Sequence, residues 1–375
     1  MKIGIVCYPT YGGSGVVATE LGKGLASQGH KVHFISYRQP ARLDVFNTNI
    51  LYHEVRFANY PLFDYPPYET ALASKLVDVV TKEKLDVVHV HYAIPHASSA
   101  YMAKKILISE GIYIPTVTTL HGTDITLVGK NAAYEPAVTF AINKSDCVTA
   151  VSESLKNDTI QSFSIKKEIE VIPNFIDFDR FKKVNKDHFK RAISPNNEKI
   201  LTHVSNFRKV KRVEDTIRIL KKVNEATPSK LLLIGDGPER QNIEQLSHEL
   251  DVADRVLFLG KQDAIVELLS ISDLFIMPSG NESFGLSALE AMACEVPIIS
   301  SNIGGLPEVN LHNKTGFLSE VGDTKSMSDH AIRLLKNPDM HEQFRANALA
   351  QAKQFDIAKI IPQYEAVYEK ARSLV

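Results

Sequence analysis

Short apolar runs alternate with longer amphipathic stretches along almost the whole chain. Residues 2–7, 31–36, 86–91, 115–121, 145–151 and 168–172 read as buried strands, each bounded by turn-forming or charged residues. Residues 16–28 carry apolar positions at helical spacing and stop at Gly29. The pattern breaks at Pro173-Asn-Phe-Ile-Asp177, and a charged stretch follows to about Asn197. It then restarts, with strands at 199–205, 230–235, 256–260, 273–277 and 297–301 and helices at 213–224, 238–250, 264–270 and 286–294. Strands alternating with helices predict parallel sheets covered on both faces. The fold class is therefore α/β, with two Rossmann-like halves: an N-terminal domain over 1–172 and a C-terminal domain over 173–355.

The end of the chain adds one more helix. Ile357, Ile360, Ile361, Tyr364, Val367, Tyr368, Ala371 and Leu374 recur at helical spacing over 356–375. Pro362 interrupts the series and is expected to kink or restart the helix, because an interior proline removes a backbone donor.

Ligands of open parallel sheets sit at the carboxyl ends of the strands. The most informative such place is Pro278-Ser-Gly-Asn-Glu282-Ser-Phe-Gly285, which joins a strand to a helix without a breaker from Leu286 to Cys294. The amides of Phe284, Gly285 and Leu286 then lie at a helix N-terminus and suit an anion such as a diphosphate. Glu282 lies in this turn and Glu290 on the helix, eight positions on. At that distance they do not share a proton as a catalytic dyad would. They suit the two ends of one extended ligand, since carboxylates accept from sugar hydroxyls.

The matching turn of the second half's first strand is Asn206-Phe-Arg208-Lys209-Val-Lys211-Arg212, four cations in five residues. It can be a solvated loop or a clamp on a departing phosphate. In the first half, Gly12-Gly13-Ser14-Gly15 follows the opening strand in what reads as a flexible turn. It lets a backbone approach a phosphate. A dinucleotide site is disfavoured, because the glycines read G-G-x-G and the second strand ends in Ser36-Tyr37-Arg38 without a ribose-binding acid, although Arg38 leaves an NADP reading open. His121, at the end of its strand in Thr119-Leu-His-Gly-Thr-Asp124, faces the same side; Asp124 either orients it or caps the turn. His89, His91 and His96 invite a metal reading, but no carboxylate cluster accompanies them.

Composition narrows the classes. A formal net charge of −1 over 375 residues leaves no broad footprint for nucleic acid. No apolar run approaches the length of a membrane span, and Met1-Lys2 leads straight into a strand, so the expectation is a cytoplasmic chain without a signal peptide. Cys7, Cys147 and Cys294 are few, odd in number and far apart, which suits buried thiols.

The pair Glu282 and Glu290, embedded in Ser-Phe-Gly-Leu and followed by Gly304-Gly305-Leu-Pro-Glu308, resembles the retaining glycosyltransferases of family 4. The resemblance covers essentially the whole chain. It implies the GT-B fold, two facing Rossmann-like domains with the last helix crossing back onto the first. It implies donor contacts from Gly13, Arg208, Lys211, Gln262, Glu282, Ser283, Phe284, Gly285, Leu286 and Glu290, with Glu282, His121, Arg208 and Lys211 at the chemistry. The family's cation motif carries glycines and a wider spacing that are missing here, so Lys209 and Arg212 remain alternatives to Lys211. No metal and no cofactor is implied.

Four strings, 7–15, 91–96, 119–124 and 205–212, resemble one branch of that family, which opens bacillithiol synthesis. That resemblance implies UDP-N-acetylglucosamine as donor and L-malate as acceptor. Ser14, Arg38, Tyr92 and Thr119 are the acceptor candidates by position. Other readings stay open: a lipid or glucan acceptor, a UDP-sugar epimerase or hydrolase of the same fold, or a binding module without turnover. A homo-oligomer is also left open.

Overall fold

Among the described residues the strands are short and most are apolar and flanked by a helix, and each pairs in parallel with its neighbours. The computed structural model describes residues 1–43, 47–57, 66–127, 129 and 131–374. It divides into one unit of Met1–Asn174 with Ile357–Val375 and a second of Phe175–Asp356.

The first unit holds β1 (Lys2–Val6), β2 (Lys31–Ser36), β3 (Ile50–Glu54), β4 (Val87–His91), β5 (Thr116–Leu120), β6 (Cys147–Ala150) and β7 (Ile169–Val171). Their order across the sheet is β3-β2-β1-β4-β5-β6-β7. The chain winds outward from β1 to one edge, then returns to β1's other side and winds to the opposite edge. The loops leaving β1 and β4 therefore part at the point where the order reverses. Open α/β sheets present their ligand crevice there.

The second unit repeats the plan with β8 (Lys199–Val204), β9 (Ser229–Ile234), β10 (Val256–Gly260), β11 (Leu274–Met277), β12 (Ile298–Ser301) and β13 (Gly316–Ser319). The order is β10-β9-β8-β11-β12-β13, so β8 and β11 flank the reversal. Its core is built from strand residues Leu201, Leu231, Leu233 and Ile276 against Ile217, Leu220 and Val223 of the helix Val213–Ala226.

Three details depart from the sequence expectation. β3 and β13 are edge strands that the apolar pattern did not announce. β3 is only half-buried and β13 opens on a glycine. The first helix spans Gly13–Ser27, so Gly13 and Gly15 belong to its first turn and not to a flexible loop. Its Gly12 cap has ordinary extended torsions, which carry no penalty.

The last helix, Ile357–Arg372, does not restart at Pro362. Ile360, Ile361, Tyr364, Val367, Tyr368 and Ala371 are all buried, and the helix packs on the first helix and on β4, β5 and β6 of the first unit. Burial contributes roughly 1.5–3 kcal/mol for each such large side chain. That outweighs the ~3 kcal/mol of an interior proline.

Candidate active site

In the second unit the loop after β11 is fixed from two sides. Gly280 N–H donates to the Val210 carbonyl at 2.7 Å, which joins this loop to the turn Lys209–Lys211 after β8. On the other side Gly305 N–H donates to the Glu282 carbonyl at 2.9 Å. Gly304 has φ +57°, and a Cβ there would lie 1.9 Å from the Glu282 carbonyl oxygen, so only glycine permits this approach. The Gly304-Gly305 pair is thus the backing that shapes the Glu282 turn.

Held this way, Glu282 meets Lys211. The ammonium donates to Oε1 at 2.5 Å, and the Ser279 hydroxyl donates to the same oxygen at 3.1 Å. Both side chains are largely buried, with 22% and 10% of their surface exposed. The neighbouring cations separate clearly. Arg212 is committed to Asp215 at 2.7 Å, and Arg218 shares that carboxylate at 3.2 Å. Lys209 and Arg208 are exposed, and among the described residues Arg208 makes no ion pair. Of the cations left open by the sequence, Lys211 is the one at Glu282, and Arg208 is available to an incoming anion.

Gly285, in the left-handed region at φ +98°, caps the helix Leu286–Ala293, with no side-chain cap. The first internal bond is Leu289 N–H to the Gly285 carbonyl at 3.1 Å, which leaves the amides of Leu286, Ser287 and Ala288 at the open end. Phe284 is buried, so its side chain packs and only its backbone is offered. Ser283 precedes it, half-buried. Glu290 lies within this helix and is 8% exposed. Cys294, one turn on, is pushed up to about 12 by burial and next by the Glu290 charge. Gln262 is exposed on the loop after β10, and its amide donates to the Leu259 carbonyl at 2.5 Å.

The first unit gathers a second set at its own reversal point. Tyr92, leaving β4, has φ +91° and ψ 140°, a backbone region that costs a non-glycine residue of order 1–3 kcal/mol. It is held there by Tyr92 N–H to the Thr119 carbonyl at 2.9 Å and by Ala93 N–H to Asp124 Oδ2 at 2.8 Å. The result aims the phenol at Ser14, whose Oγ accepts from it at 2.8 Å. Gly13 beside Ser14 is open, with nothing within 4 Å of where a Cβ would stand. Arg38 is exposed beyond β2.

His121 is joined through Nε2 to His91 Nδ1 at 2.8 Å. Burial pushes His121 down to about 3, so the imidazole is neutral near pH 7. Asp124 does not touch the ring. It accepts from the amides of Gly122 and Ala93, caps the turn, and is raised to about 6 by burial. His89 spends both nitrogens inside the unit, on Tyr368 Oη at 2.8 Å and Thr119 Oγ1 at 2.7 Å.

That last contact corrects one expectation. Thr119 is fully buried, and its hydroxyl lies between His89 and Thr149. It faces the sheet's packed side and cannot reach an acceptor. His91 was the residue missed as His121's partner. The signal was present in the register, because His91 pairs with Thr119 and sits beside the strand end that carries His121.

The description "Glycosyltransferase Family 4" matches residues 11–180, and "Glycosyl transferases group 1" matches 184–351. A Bacillus anthracis protein named N-acetyl-alpha-D-glucosaminyl L-malate synthase is 50% identical over 370 residues, covering 98% of this chain and 96% of its own. The chain belongs to glycosyltransferase family 4.

It is therefore a glycosyltransferase. More distant relatives include the D-inositol 3-phosphate glycosyltransferase of Mycolicibacterium smegmatis, 28% identical over 77% of this chain and 68% of its own. Among solved structures, Anabaena HepE in complex with UDP-glucose matches with a TM-score of 0.83 at 22% identity, over 98% of this chain and 99% of that one. The sucrose-phosphate synthase of Thermosynechococcus elongatus matches with a TM-score of 0.82 at 20% identity over the whole of both chains. The fold is GT-B. No helix among the described residues is long and apolar enough to cross a membrane.

Proposed function

We propose that the protein transfers N-acetylglucosamine from UDP-N-acetylglucosamine to the 2-hydroxyl of L-malate, with retention of the α-configuration, as the first step of bacillithiol synthesis. The observation that carries this reading is the 50% identity to the Bacillus anthracis L-malate synthase, extended over nearly the full length of both chains.

The second unit takes the donor. Glu290 accepts from the ribose hydroxyls, the exposed Gln262 loop borders the base, and the helix amides from Leu286 face the diphosphate. Arg208 and Lys211 stabilise the charge that grows on the β-phosphate as it leaves. Lys211 and Glu282 satisfy each other before the donor arrives. When the phosphate takes the ammonium, Glu282 becomes an acceptor for a hydroxyl of the transferred sugar. The positioning is paid for in the free enzyme, so little ordering is left for the reaction.

The first unit takes the acceptor. His121, neutral and tied through Nε2, offers Nδ1 to a sugar hydroxyl. Ser14, Tyr92 and Arg38 supply the hydroxyl donors and the cation that a small dianion needs. No carboxylate stands out as a nucleophile, so a front-face path fits best: the leaving phosphate oxygen takes the proton of the attacking malate hydroxyl. Neither metal nor cofactor is required in this scheme, and chelator-treated enzyme is expected to keep its rate.

The test is UDP release from UDP-N-acetylglucosamine with a panel of small acids. L-Malate is expected to be active, L-lactate and D-malate much poorer, and succinate inert. A site that pairs two carboxylates leaves its donors unpaired with anything less. Equal rates with lactate and L-malate would overturn the acceptor.

A further inference from the structure

Away from these groups, the outer edge of the first sheet carries a cluster that the transfer reaction does not use. His33 on β2 and His53 on β3 face each other across the edge pair. His33 Nδ1 and His53 Nε2 are 3.0 Å apart, with ring planes 13° from parallel. Glu83 ends the helix Tyr68–Glu83 beneath them. One donor atom from each of the three lies within 4.8 Å of the others.

We propose that His33, His53 and Glu83 bind one divalent transition-metal ion, with zinc the best chemical match. Two imidazoles and one carboxylate are a recurrent zinc set, with the fourth position left to water or a ligand. In a tetrahedral site the donors stand about 3.3 Å apart, from metal distances of roughly 2.0–2.2 Å. The two nitrogens are already near that separation, and Glu83 closes the remainder by side-chain rotation.

Further observations support the assignment. His33 is 1% exposed, and its Nδ1 faces a second imidazole nitrogen, His53 Nε2, at 3.0 Å. Among the described residues the Glu83 carboxylate makes no hydrogen bond or ion pair, although it stands beside two nitrogen donors. Its helix end is already a cation-seeking place, since the Lys2 ammonium donates to the Glu83 carbonyl at 2.7 Å. His53 also lines an open cavity of about 580 Å³ with Tyr52, Glu54, Arg56, Lys75 and Asp78. That cavity supplies an entry path and room for the fourth ligand. Lys75, on that same helix, pairs with Asp78 at 3.0 Å. The bound ion would pin the edge strand β3 to β2 and to the helix end.

The test uses the full chain stripped with a chelator and titrated with Co²⁺ as a spectroscopic stand-in and then Zn²⁺, with stoichiometry from equilibrium dialysis and the thermal midpoint followed in parallel. One ion per chain, visible bands of a nitrogen- and oxygen-ligated cobalt, and a midpoint raised by zinc are expected. His53→Gln and Glu83→Gln are both partly exposed sites that leave the core intact. Each should weaken binding at least tenfold and abolish the zinc-dependent rise. Failure of the wild-type chain to bind at 100 micromolar metal, or binding that either variant leaves unchanged, would overturn the proposal. Transfer activity is not a readout here, so the result stands apart from the proposed reaction.

Discussion

Lys211 and Glu282 form a largely buried ion pair, 2.5 Å from ammonium to carboxylate, between the loop after β8 and the loop after β11. The pair spans the reversal point of the second sheet, and the proposed reaction assigns its cation to the phosphate and its carboxylate to the sugar. Removing one partner leaves the other buried and unpaired, so single substitutions here report more than the loss of a contact.

Lys211→Ala is expected to lower kcat by roughly a hundredfold, about 3 kcal/mol, with a much smaller change in UDP affinity. A cation that meets growing charge acts mostly in the transition state. Steady-state kinetics beside calorimetric UDP binding separates the two. A near-normal kcat would move the phosphate clamp to Arg208 and Lys209.

Glu290→Ala should do the reverse, weakening UDP binding while slowing the bound complex less. A ribose contact is present equally in ground and transition states, so its loss appears in affinity. Unchanged UDP affinity in this variant would remove Glu290 from the nucleotide site.

Tyr92→Phe and Thr119→Val distinguish a group that meets the acceptor from one that packs the sheet. Tyr92→Phe removes the hydroxyl at Ser14 and should raise the KM for malate with UDP affinity nearly intact. Thr119→Val leaves His89 Nε2 without its partner inside the core, a cost of about 1–3 kcal/mol. It should therefore lower the thermal midpoint and leave the malate KM alone. A malate-specific defect in Thr119→Val would contradict its placement.

Stability should fall on mild acidification. Burial lowers His89 and His121 to about 3, and His96 and His203 to about 4, from an ordinary value near 6.5. Groups depressed in the folded state stabilise it above their unfolded value, and that stability is lost as pH falls toward the folded values. Asp124, raised to about 6, acts in the opposite sense between its ordinary value near 3.8 and 6, but it is one group against four. The thermal midpoint should drop steadily from pH 6.5 to 4.5. A flat profile across that range would mean these rings are not buried neutral.

The repeating αβ plan was legible because parallel strands buried on both faces are continuous apolar runs, as at β9 and β11. The edge strand β3 was not, because only Ile50 of its five residues is fully buried and its pattern fades. Glu282 and Glu290 could be found from the strand–turn–helix context that needs glycine at φ +98° before the helix. Which of four cations stands at Glu282 was beyond the sequence. It depends on the tight turn Lys209–Lys211 and on the Gly280 amide that holds it. Thr119 was misjudged for a related reason. A strand alternates its faces, but which face is packed is decided by the last helix, far along the chain, which brings Tyr368 to His89.

The most direct test of the account is the identity of the product formed from UDP-N-acetylglucosamine and L-malate. Malate-dependent UDP release, with one product of the mass of N-acetylglucosaminyl malate and an α-anomeric proton by NMR, is the predicted result. A β-glycoside, free N-acetylglucosamine released without malate, or transfer to a lipid or glucan with none to malate would contradict it.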